Sequence, residues 1–309
     1  MSGSNRNKED AYHVPVLCKA VLEGLITDRS GTYVDGTVGG GGHSIALLSA
    51  LEAAGRLFGI DQDPDAIAVC SERFGNEPRF EMIKGNFGDL PNLLGEAGVA
   101  QVEGILLDLG VSSHQIDTPD RGFSYRAEGP LDMRMDRTAT LTAEELVNTT
   151  AEGDLSRILA RLGEEPRSRK IAAAIIARRP IESTRELADA IVAAAPMREH
   201  VKTLSRVFQA IRIAVNDELT ALERALVASI DLLKPGGRIA VISYHSLEDR
   251  RTKLFFRSGN LEGHQVKDFY GNLISPLTPI TRRPIMADDE EVNQNPRARS
   301  ARLRIAERV

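Results

Sequence analysis

One glycine-rich segment constrains the fold of this chain more than any other feature of its sequence. The pattern Thr32–Asp35 predicts a short strand that ends in an acid, and four consecutive glycines, Gly39–Gly42, precede a predicted helix at Ser44–Ala53. Because consecutive glycines are conformationally unfavourable, we infer that they let a ligand approach the backbone closely. Ligands of α/β folds bind outside the carboxyl ends of the strands, so this segment predicts a cofactor site.

Further strand and helix patterns alternate after this segment. Strands are predicted at Arg56–Asp61, Phe80–Lys84 and Gly104–Asp108, with a helix at Pro64–Phe74. After a long interruption, strand patterns return at Arg238–Tyr244 and Ser300–Ile305. Repeated βα units predict an α/β fold with a doubly wound, mostly parallel, Rossmann-like sheet.

The interruption, residues 112–215, carries no convincing strand pattern and indicates an all-helical insertion. Its helices are predicted at Thr142–Thr149, Asp154–Leu162, Ser168–Arg178, Thr184–Ala194 and Ser205–Val215. A further helix is predicted at Asn216–Leu233, before a Pro-Gly-Gly turn. We therefore predict a discontinuous α/β domain, residues 1–111 and 216–309, around a helical domain, residues 112–215.

Composition limits the classes of protein to which the chain can belong. Hydrophobic residues make up 42%, and no apolar run approaches the roughly 20 residues that span a bilayer. The two cysteines, Cys18 and Cys70, form no zinc or disulfide pattern, which favours a reducing, cytoplasmic location and no bound metal. Residues 1–10 lack a signal-peptide core and are expected to form a frayed tail.

The details of the glycine segment distinguish between nucleotide cofactors. The segment does not fit the dinucleotide fingerprint G-x-G-x-x-G, and it lacks the G-K-[ST] of a P-loop. A pyrophosphate needs bare amides at a helix N-terminus, whereas S-adenosylmethionine carries an ammonium group and a cationic sulfonium. An acid beside the turn suits these positive charges, so S-adenosylmethionine is the predicted cofactor. The alternative is a turn that only joins a strand to a helix.

Acids also end the second and fourth predicted strands. Asp61 is placed to accept hydrogen bonds from both ribose hydroxyls, and Asp63 suits the N-cap of the helix that follows. After the third strand, Asn86 or Phe87 would flank the adenine. Asp108 ends the fourth strand, where such folds bring cofactor and substrate together.

The segment after Asp108 is unusual for an enzyme that methylates exocyclic amines. Such enzymes usually carry [DNS]-P-P-[FYW] here, whereas this chain has Asp-Leu-Gly-Val. A stacking aromatic must therefore come from elsewhere, with Phe123, Tyr125 and Tyr244 as candidates. His245, after the returning strand, is a further catalytic candidate. It would contact the substrate in the same crevice, unless it only packs locally.

Long motifs give the chain a resemblance to bacterial 16S ribosomal RNA cytosine-N4 methyltransferases, whose target is cytosine 1402. The resemblance extends from about Tyr12 to Val309. Its motifs are Asp35–Thr37, Gly41–Ser44, Asp108–Ser113, Gln115, Arg121–Ser124, Gly129–Asp136, Phe208–Ala210, Val215–Asn216, His245–Arg250 and Asn295–Ser300. It implies a class I S-adenosylmethionine-dependent methyltransferase fold and, as partner, 16S rRNA or the small ribosomal subunit.

The resemblance also implies which residues form the site. Cofactor contacts carry over to Gly41, Gly42, His43, Asp61, Phe87, Asp108 and Gln115. The chain departs from the family pattern at Val38 and Gly40, which replace a Phe and a larger residue. It departs again at Tyr244, where Phe is usual, and at 202–205, where His-Pro-Ala-Thr is usual.

The same resemblance implies that the helical insertion recognises RNA. The whole chain has a formal net charge of −5, whereas residues 112–215 hold 16 Lys and Arg against 15 Asp and Glu. RNA contacts must therefore come from a local patch, for which Arg167, Arg169 and Lys170 are the candidates. The alternative is that these residues form only a solvated helix face.

The available nucleophiles favour methylation of an amine. Methylating C5 of cytosine normally needs a cysteine thiolate, and neither cysteine lies near the predicted ends of the fourth and fifth strands. Asp108, or a backbone carbonyl beside it, would instead accept the hydrogens of the N4 amine and take its proton. Two other classes stay open: a noncatalytic RNA-binding or ribosome-assembly protein, and a methyltransferase of small molecules or proteins. The oligomeric state is also open, a homodimer included.

Overall fold

The computed structural model describes residues 15–271 and 273–309, so the tail predicted for residues 1–10 lies outside the described residues. The chain divides into two compact units. The first unit comprises the chain up to residue 110 together with 221–309, and the second comprises 111–220. Among the described helices, none has the length and apolar character that crossing a bilayer requires.

A seven-stranded sheet forms the centre of the first unit. Its strands are β1 Thr32–Asp35, β2 Arg56–Asp61, β3 Phe80–Lys84, β4 Val102–Asp108, β5 Leu233–Ser243, β8 Leu277–Pro279 and β9 Arg302–Arg308, and a separate hairpin pairs β6 Val266–Lys267 with β7 Leu273–Ile274. The order is β3-β2-β1-β4-β5-β9-β8. Strands β1 to β5 are parallel to one another, whereas β9 is antiparallel to both β5 and β8. This order confirms the predicted class I methyltransferase fold.

Helices cover the sheet and build the second unit. In the first unit they are α1 Cys18–Leu25, α2 Gly42–Ala50, α3 Pro64–Phe74, α4 Leu90–Glu96, α12 Ser246–Ser258 and α13 Asp289–Gln294. In the second unit they are α5 Ser113–Asp117, α6 Ala143–Thr149, α7 Glu152–Leu162, α8 Ser168–Ile176, α9 Thr184–Ala194 and α10 His200–Asn216. The helix α11, Glu218–Leu232, crosses from the second unit into the first.

Strand β4 shows why the sheet needs helices on both faces. Ile105 and Leu107 belong to one apolar cluster, which includes α4 and α11, whereas Leu106 belongs to the other, which includes α1 and α2. All three side chains are fully buried. A continuous apolar strand is stable only when both faces are covered, which is the doubly wound arrangement.

The second unit has an apolar core of its own. Successive turns of α7, α8 and α10 contribute buried aliphatic residues, among them Leu155, Leu159, Ile171, Ile175, Val207 and Ile211. No strand of the sheet lies within 111–215, all of whose residues are described. The apolar spacing at three and four residues accounts for these helices.

The bounds of some elements differ from those predicted. Helix α2 begins at Gly42 rather than Ser44, because Gly41 takes a left-handed N-cap conformation. The predicted helix at 216–233 begins at Glu218, since Asp217 is left-handed (φ 48°) and ends α10. The predicted turn before Arg238 belongs to β5, with a register shift at that point. Helix α12 and strands β6, β7 and β8 were not predicted.

The parallel register brings the ends of β1, β2 and β4 to one edge of the sheet. Asp35 pairs with Gly59 and Leu106, and Asp61 pairs with Lys84 at the end of β3. Asp108 pairs with Ile242 near the end of β5. Three carboxylates separated in sequence therefore lie along the edge where α/β folds bind ligands.

A buried ion pair joins β9 to α12 on this unit. The Arg304 guanidinium donates to both carboxylate oxygens of Asp249, at 2.7 and 3.3 Å, and its side chain is only 7% exposed. Arg302 donates to the same carboxylate at 3.2 Å but is 42% exposed. Removing Arg304 would leave the largely buried Asp249 carboxylate with only the exposed Arg302 as its partner, which is unfavourable.

We predict that Arg304→Ala lowers the free energy of unfolding by about 3–5 kcal/mol. Arg302→Ala, the matched control on the same carboxylate, should lower it by less than about 1 kcal/mol because its charge is exposed to water. Urea unfolding at neutral pH, followed by circular dichroism, measures both. Equal losses in the two variants would contradict the importance of burial.

Candidate functional site

The glycine turn between β1 and α2 has a shape that side chains would prevent. Gly39 and Gly41 have φ values of 52° and 81°, in the left-handed region. A Cβ on Gly41 would also lie 2.8 Å from the Phe74 ring, and one on Gly36 would lie 2.7 Å from the Leu107 side chain. These positions require glycine for conformation and because neighbouring side chains occupy the space that a Cβ would need.

Helix α3 supports this turn from one side. The Arg73 guanidinium donates to the Gly40 carbonyl at 2.8 Å, and the Cys70 thiol lies 3.3 Å from the Gly39 carbonyl. The Asp63 carboxylate accepts from the Asp65 amide at the N-cap of α3, as predicted. The carbonyls of the turn are thus held by α3.

Asp35 forms the buried base of the turn. Its side chain accepts hydrogen bonds from the Ser44 hydroxyl at 2.7 Å and from the Thr37 amide at 3.2 Å, and it is fully buried. Burial raises the pKa of Asp35, an effect that the neighbouring His43 partly opposes. Asp35 therefore braces the turn and adds negative potential beneath it.

Asp61 joins the end of β2 to the glycine turn. One carboxylate oxygen accepts from the Gly39 amide at 2.8 Å, and the other accepts from the Asp63 amide at 2.9 Å. Burial raises the pKa of Asp61 to about 6, although these two hydrogen bonds act in the opposite direction. Since a carboxylate has about four acceptor positions, two remain for ligand hydroxyls.

Asp108, at the end of β4, is held by two hydrogen bonds from distant parts of the chain. Its backbone amide donates to the Thr37 hydroxyl at 2.6 Å, and its Oδ1 accepts from the Tyr244 hydroxyl at 2.9 Å. Its Oδ2 lies 3.6 Å from Nε2 of His43, which is too long for a hydrogen bond. The Asp108 side chain keeps 23% of its surface exposed.

The electrostatics of this edge favour positive charge. Burial alone would lower the pKa of His43, but the Asp108 and Asp35 carboxylates outweigh burial and raise it. Burial, followed by the charge of Asp108, raises the pKa of Tyr244, so its phenol remains protonated. Nε2 of His43 is buried without a hydrogen-bond partner in the described chain.

His245 lies at the N-terminus of α12 with its side chain 10% exposed. Its Nε2 is 3.1 Å from Oε1 of Glu248, whose other oxygen accepts from the Tyr244 and His245 amides. Glu248 thereby fixes the turn that carries Tyr244. The catalytic role expected for His245 stays a prediction.

Comparison with known proteins places this geometry in a family. The model of the MraW methylase family matches residues 10–309. The chain is 46% identical to ribosomal RNA small subunit methyltransferase H of Bacteroides thetaiotaomicron, over 97% of this chain and 98% of that protein. It is 48% identical to the protein of the same name from Chlorobium chlorochromatii, over 96% of each.

The chain belongs to the MraW methylase family. Membership and fold together make it a methyltransferase that depends on S-adenosylmethionine, which confirms the prediction from the glycine turn. Among solved structures, an rRNA methylase from Streptococcus thermophilus covers 94% of this chain and 93% of its own at 13% identity, with a TM-score of 0.40. That likeness is too distant to support an inference.

The residues of the first unit fit this cofactor. The turn at Gly41 and Gly42 carries no side chains, and Asp61 has acceptor capacity for a ribose diol. Phe87 is half-buried beside Gly36, whose added Cβ would lie 3.3 Å from it. Carboxylates at the same edge suit a cation. Asp61, Phe87 and the glycine turn would hold the nucleoside, while His43 and Asp108 would lie toward the charged end.

Other predicted residues lie in the second unit. Gln115 is 5% exposed and forms a reciprocal capping box with Ser112 at the start of α5. Arg167 is half-buried and ion-paired with Glu199, whereas Arg169 and Lys170 on α8 are exposed. The cofactor role of Gln115 and the RNA roles of the three basic residues stay predictions.

Sequence patterns did not identify several contacts of the site. Thr37 lies two residues after the predicted strand, and its hydroxyl accepts from the Asp108 amide, a contact that the sequence does not indicate. Asn86 donates to the Gln62 side chain at 2.8 Å and caps the short turn that begins at Phe87. Glu291 accepts from the Leu17 amide at 2.6 Å, over 274 positions of sequence, and no local signal indicates this contact.

Asp61 generates a prediction about cofactor affinity. Asp61→Asn should weaken S-adenosylhomocysteine binding by about 2–4 kcal/mol, because the amide cannot accept two hydroxyl hydrogens as a carboxylate does. Affinity in the wild type should fall about tenfold from about pH 7.5 to about pH 5, since only about a tenth of Asp61 remains ionised one unit below a pKa of about 6. Calorimetry measures both effects.

The matched control is Asp63→Asn, which removes a neighbouring charge but keeps an N-cap residue. It should keep the wild-type affinity at neutral pH and move the pH dependence to a lower midpoint, because the charge of Asp63 contributes to the raised pKa of Asp61. Asp61→Asn should lose the pH dependence. For the stability of the free protein, the raised pKa of Asp61 acts in the opposite direction to its effect on cofactor affinity. Because ionising the buried Asp61 is unfavourable, its contribution to the free energy of unfolding falls as pH rises from 3.8 to about 6. An unchanged affinity in Asp61→Asn would exclude the ribose assignment.

Proposed function

We propose that this enzyme methylates the exocyclic N4 amine of a cytidine in 16S ribosomal RNA, with cytosine 1402 as the target implied by resemblance. One observation carries the proposal. Asp108 ends a central strand with Oδ1 held by Tyr244, while Oδ2 makes no hydrogen bond to His43 at 3.6 Å and the side chain is partly exposed. The names of the relatives, which specify the ribosomal RNA of the small subunit, support RNA as the acceptor. The cytoplasm is the compartment in which this substrate occurs.

The chain's own groups would act mainly by positioning. When bound, the cofactor supplies an electrophilic methyl group on a positively charged sulfur. Oδ2 of Asp108 accepts a hydrogen bond from the amino group, which favours a pyramidal nitrogen with an available lone pair. The same oxygen then takes the proton that the methylated amine must release. His43 lies beside this oxygen, at 3.6 Å, and would stabilise its charge before the transfer.

The target base must leave its stack to reach such a site, as is usual for enzymes that act on bases. The second unit would bind the surrounding RNA. Arg169 and Lys170 are exposed on α8, and no ion pair engages them within the described residues. Arg167 is already paired with Glu199, so it would contribute less.

The state of the two cysteines supports an amine as acceptor. Cys70 is fully buried, and burial raises its pKa to about 12. Burial and the charge of Glu291 also raise the pKa of Cys18. Neither thiol would therefore be ionised near neutral pH, and a neutral thiol is a poor nucleophile for the addition that C5 methylation needs.

The first prediction of this proposal concerns the product. Purified enzyme, the cofactor and small-subunit RNA or particles should yield N4-methylcytidine, identified by nucleoside mass spectrometry against standards of both isomers. The double variant Cys18→Ala/Cys70→Ala should keep turnover within a few-fold. Asp108→Asn should lose about 10²-fold or more, because it removes the proton acceptor.

Four outcomes would contradict the proposal. A 5-methylcytidine product, or loss of turnover in the cysteine variant with its fold intact, would indicate covalent chemistry. Methyl label that appears in protein or small molecules instead of RNA would indicate another acceptor. Cofactor binding without any transfer, over free RNA and assembled particles alike, would indicate a noncatalytic role.

The second prediction concerns RNA binding by the helical unit. Arg169→Ala/Lys170→Ala should weaken RNA binding and lower the slope of log affinity against log salt by about one per lost phosphate contact. Cofactor affinity should stay unchanged. Arg185→Ala is the control, because Arg185 and its ion-pair partner Asp189 both lie on α9. Filter binding over a series of salt concentrations measures the slopes, and wild-type slopes in the double variant would identify a solvated face.

A further inference from the structure

Tyr244 follows the last residue of β5 and has a rigidly determined position. Its backbone amide donates to Oε2 of Glu248 at 2.9 Å, within the first turn of α12. Its ring packs against the apolar cluster formed by α1, α2 and neighbouring strands. A Cβ on Gly110 would lie 3.6 Å from the ring, so the neighbouring loop leaves just enough room. These contacts restrain both the backbone and the ring of Tyr244, and so fix the position of its hydroxyl.

The hydroxyl of Tyr244 makes one specific contact at the candidate site. It donates to Oδ1 of Asp108 at 2.9 Å, across 136 positions of sequence. The Asp108 amide is bound to the Thr37 hydroxyl, so both ends of this residue are restrained. Because the pKa of Tyr244 is raised by burial and by Asp108, the phenol acts as a donor at neutral pH.

The two carboxylate oxygens of Asp108 have different surroundings. Oδ1 is occupied by the phenol, whereas Oδ2 lies 3.6 Å from Nε2 of His43 without a hydrogen bond. A carboxylate free to rotate about its Cβ–Cγ bond would present either oxygen in turn. A donor fixed on one oxygen removes that freedom and leaves the other in a constant orientation.

We propose that Tyr244 is a positioning residue for methyl transfer: its hydroxyl holds Oδ1 of Asp108 and so keeps Oδ2 directed for the acceptor amine. This inference rests on the proposed function. It also gives a role to the departure of the chain from the family pattern, in which Phe is usual at this position. The chain gains an orienting hydroxyl on a ring that otherwise packs in the same place.

A purely structural tyrosine would behave differently, and the chain contains one for comparison. The hydroxyl of Tyr33 accepts from the Thr27 and Asp28 amides and donates to the Asp28 carbonyl, so all its named partners are backbone groups. Tyr33 is fully buried in the same apolar cluster. Tyr33→Phe therefore removes a bonded phenol that has no contact with Asp108.

The first experiment compares Tyr244→Phe with Tyr33→Phe in single-turnover methylation of RNA at saturating cofactor. Tyr244→Phe should lower the rate about tenfold or more, while the Kd for S-adenosylhomocysteine stays within about twofold of the wild type. Tyr33→Phe should leave the rate unchanged and lower only the melting temperature. An unchanged rate in Tyr244→Phe, or equal rate losses in both variants, would overturn the proposal.

A double-mutant cycle tests whether Tyr244 acts through Asp108. In an Asp108→Asn background, adding Tyr244→Phe should change the residual rate by less than about twofold, since the oriented carboxylate is already absent. Multiplication of the two separate losses would show that the residues act independently and would overturn the proposal.

A measurement without substrate separates this inference from the proposed function. If the wild type transfers no methyl to RNA, the proposed function fails, and the Asp108 contact can still be tested by carbon NMR. The carboxyl resonance that disappears in Asp108→Asn should shift in Tyr244→Phe but not in Tyr33→Phe. An unshifted resonance would show that the phenol does not hold this carboxylate.

Discussion

The hydrogen bond between Ser44 and the buried Asp35 carboxylate is the contact on which the cofactor edge depends. It joins the last residue of β1 to the first turn of α2 across the glycine turn. The ends of the turn are thereby fixed, and its backbone must pass through left-handed conformations to connect them. A buried carboxylate is stable only when it is hydrogen-bonded, so Asp35 and the turn stabilise each other.

The concentration of acids at one edge has an energetic consequence for the folded chain. Burial raises the pKa values of Asp35 and Asp61, so ionised carboxylates at this edge are unfavourable in the absence of a cation. The cofactor predicted here brings positive charge to that place. Enzymes commonly accept such local instability at a site, because groups arranged for a ligand are not arranged for the stability of the free protein.

The two units divide the properties that the proposed function requires. The first unit contains the parallel sheet with its ligand-binding edge, whereas the second is helical and carries nearly equal numbers of basic and acidic residues. A chain with a net charge of −5 gains little from general attraction to RNA, so recognition would depend on local groups such as those on α8. Much of the basic charge elsewhere is internally paired, as with Arg304 and Asp249.

The sequence alone determined the parallel strands of the sheet, the glycine turn and the acids at the strand ends. Alternating and continuous apolar patterns are local signals, and the parallel strands that they predict place Asp61 and Asp108 at one edge. The N-cap at Asp63 also followed from local preference. The predicted start of α2 was less accurate. The helix begins after the left-handed N-cap Gly41, which lies against Phe74 and Cys70.

Only the tertiary structure decided which groups meet at Asp108. Tyr244 reaches it because β5 lies beside β4 in the sheet, although 136 positions separate the two residues. The contact between Leu17 and Glu291 likewise joins two distant parts of the chain. No periodicity encodes such pairs, since each depends on strand order and side-chain packing. Sequence patterns specify elements and their ends, whereas the orientation of one carboxylate oxygen depends on the packed whole.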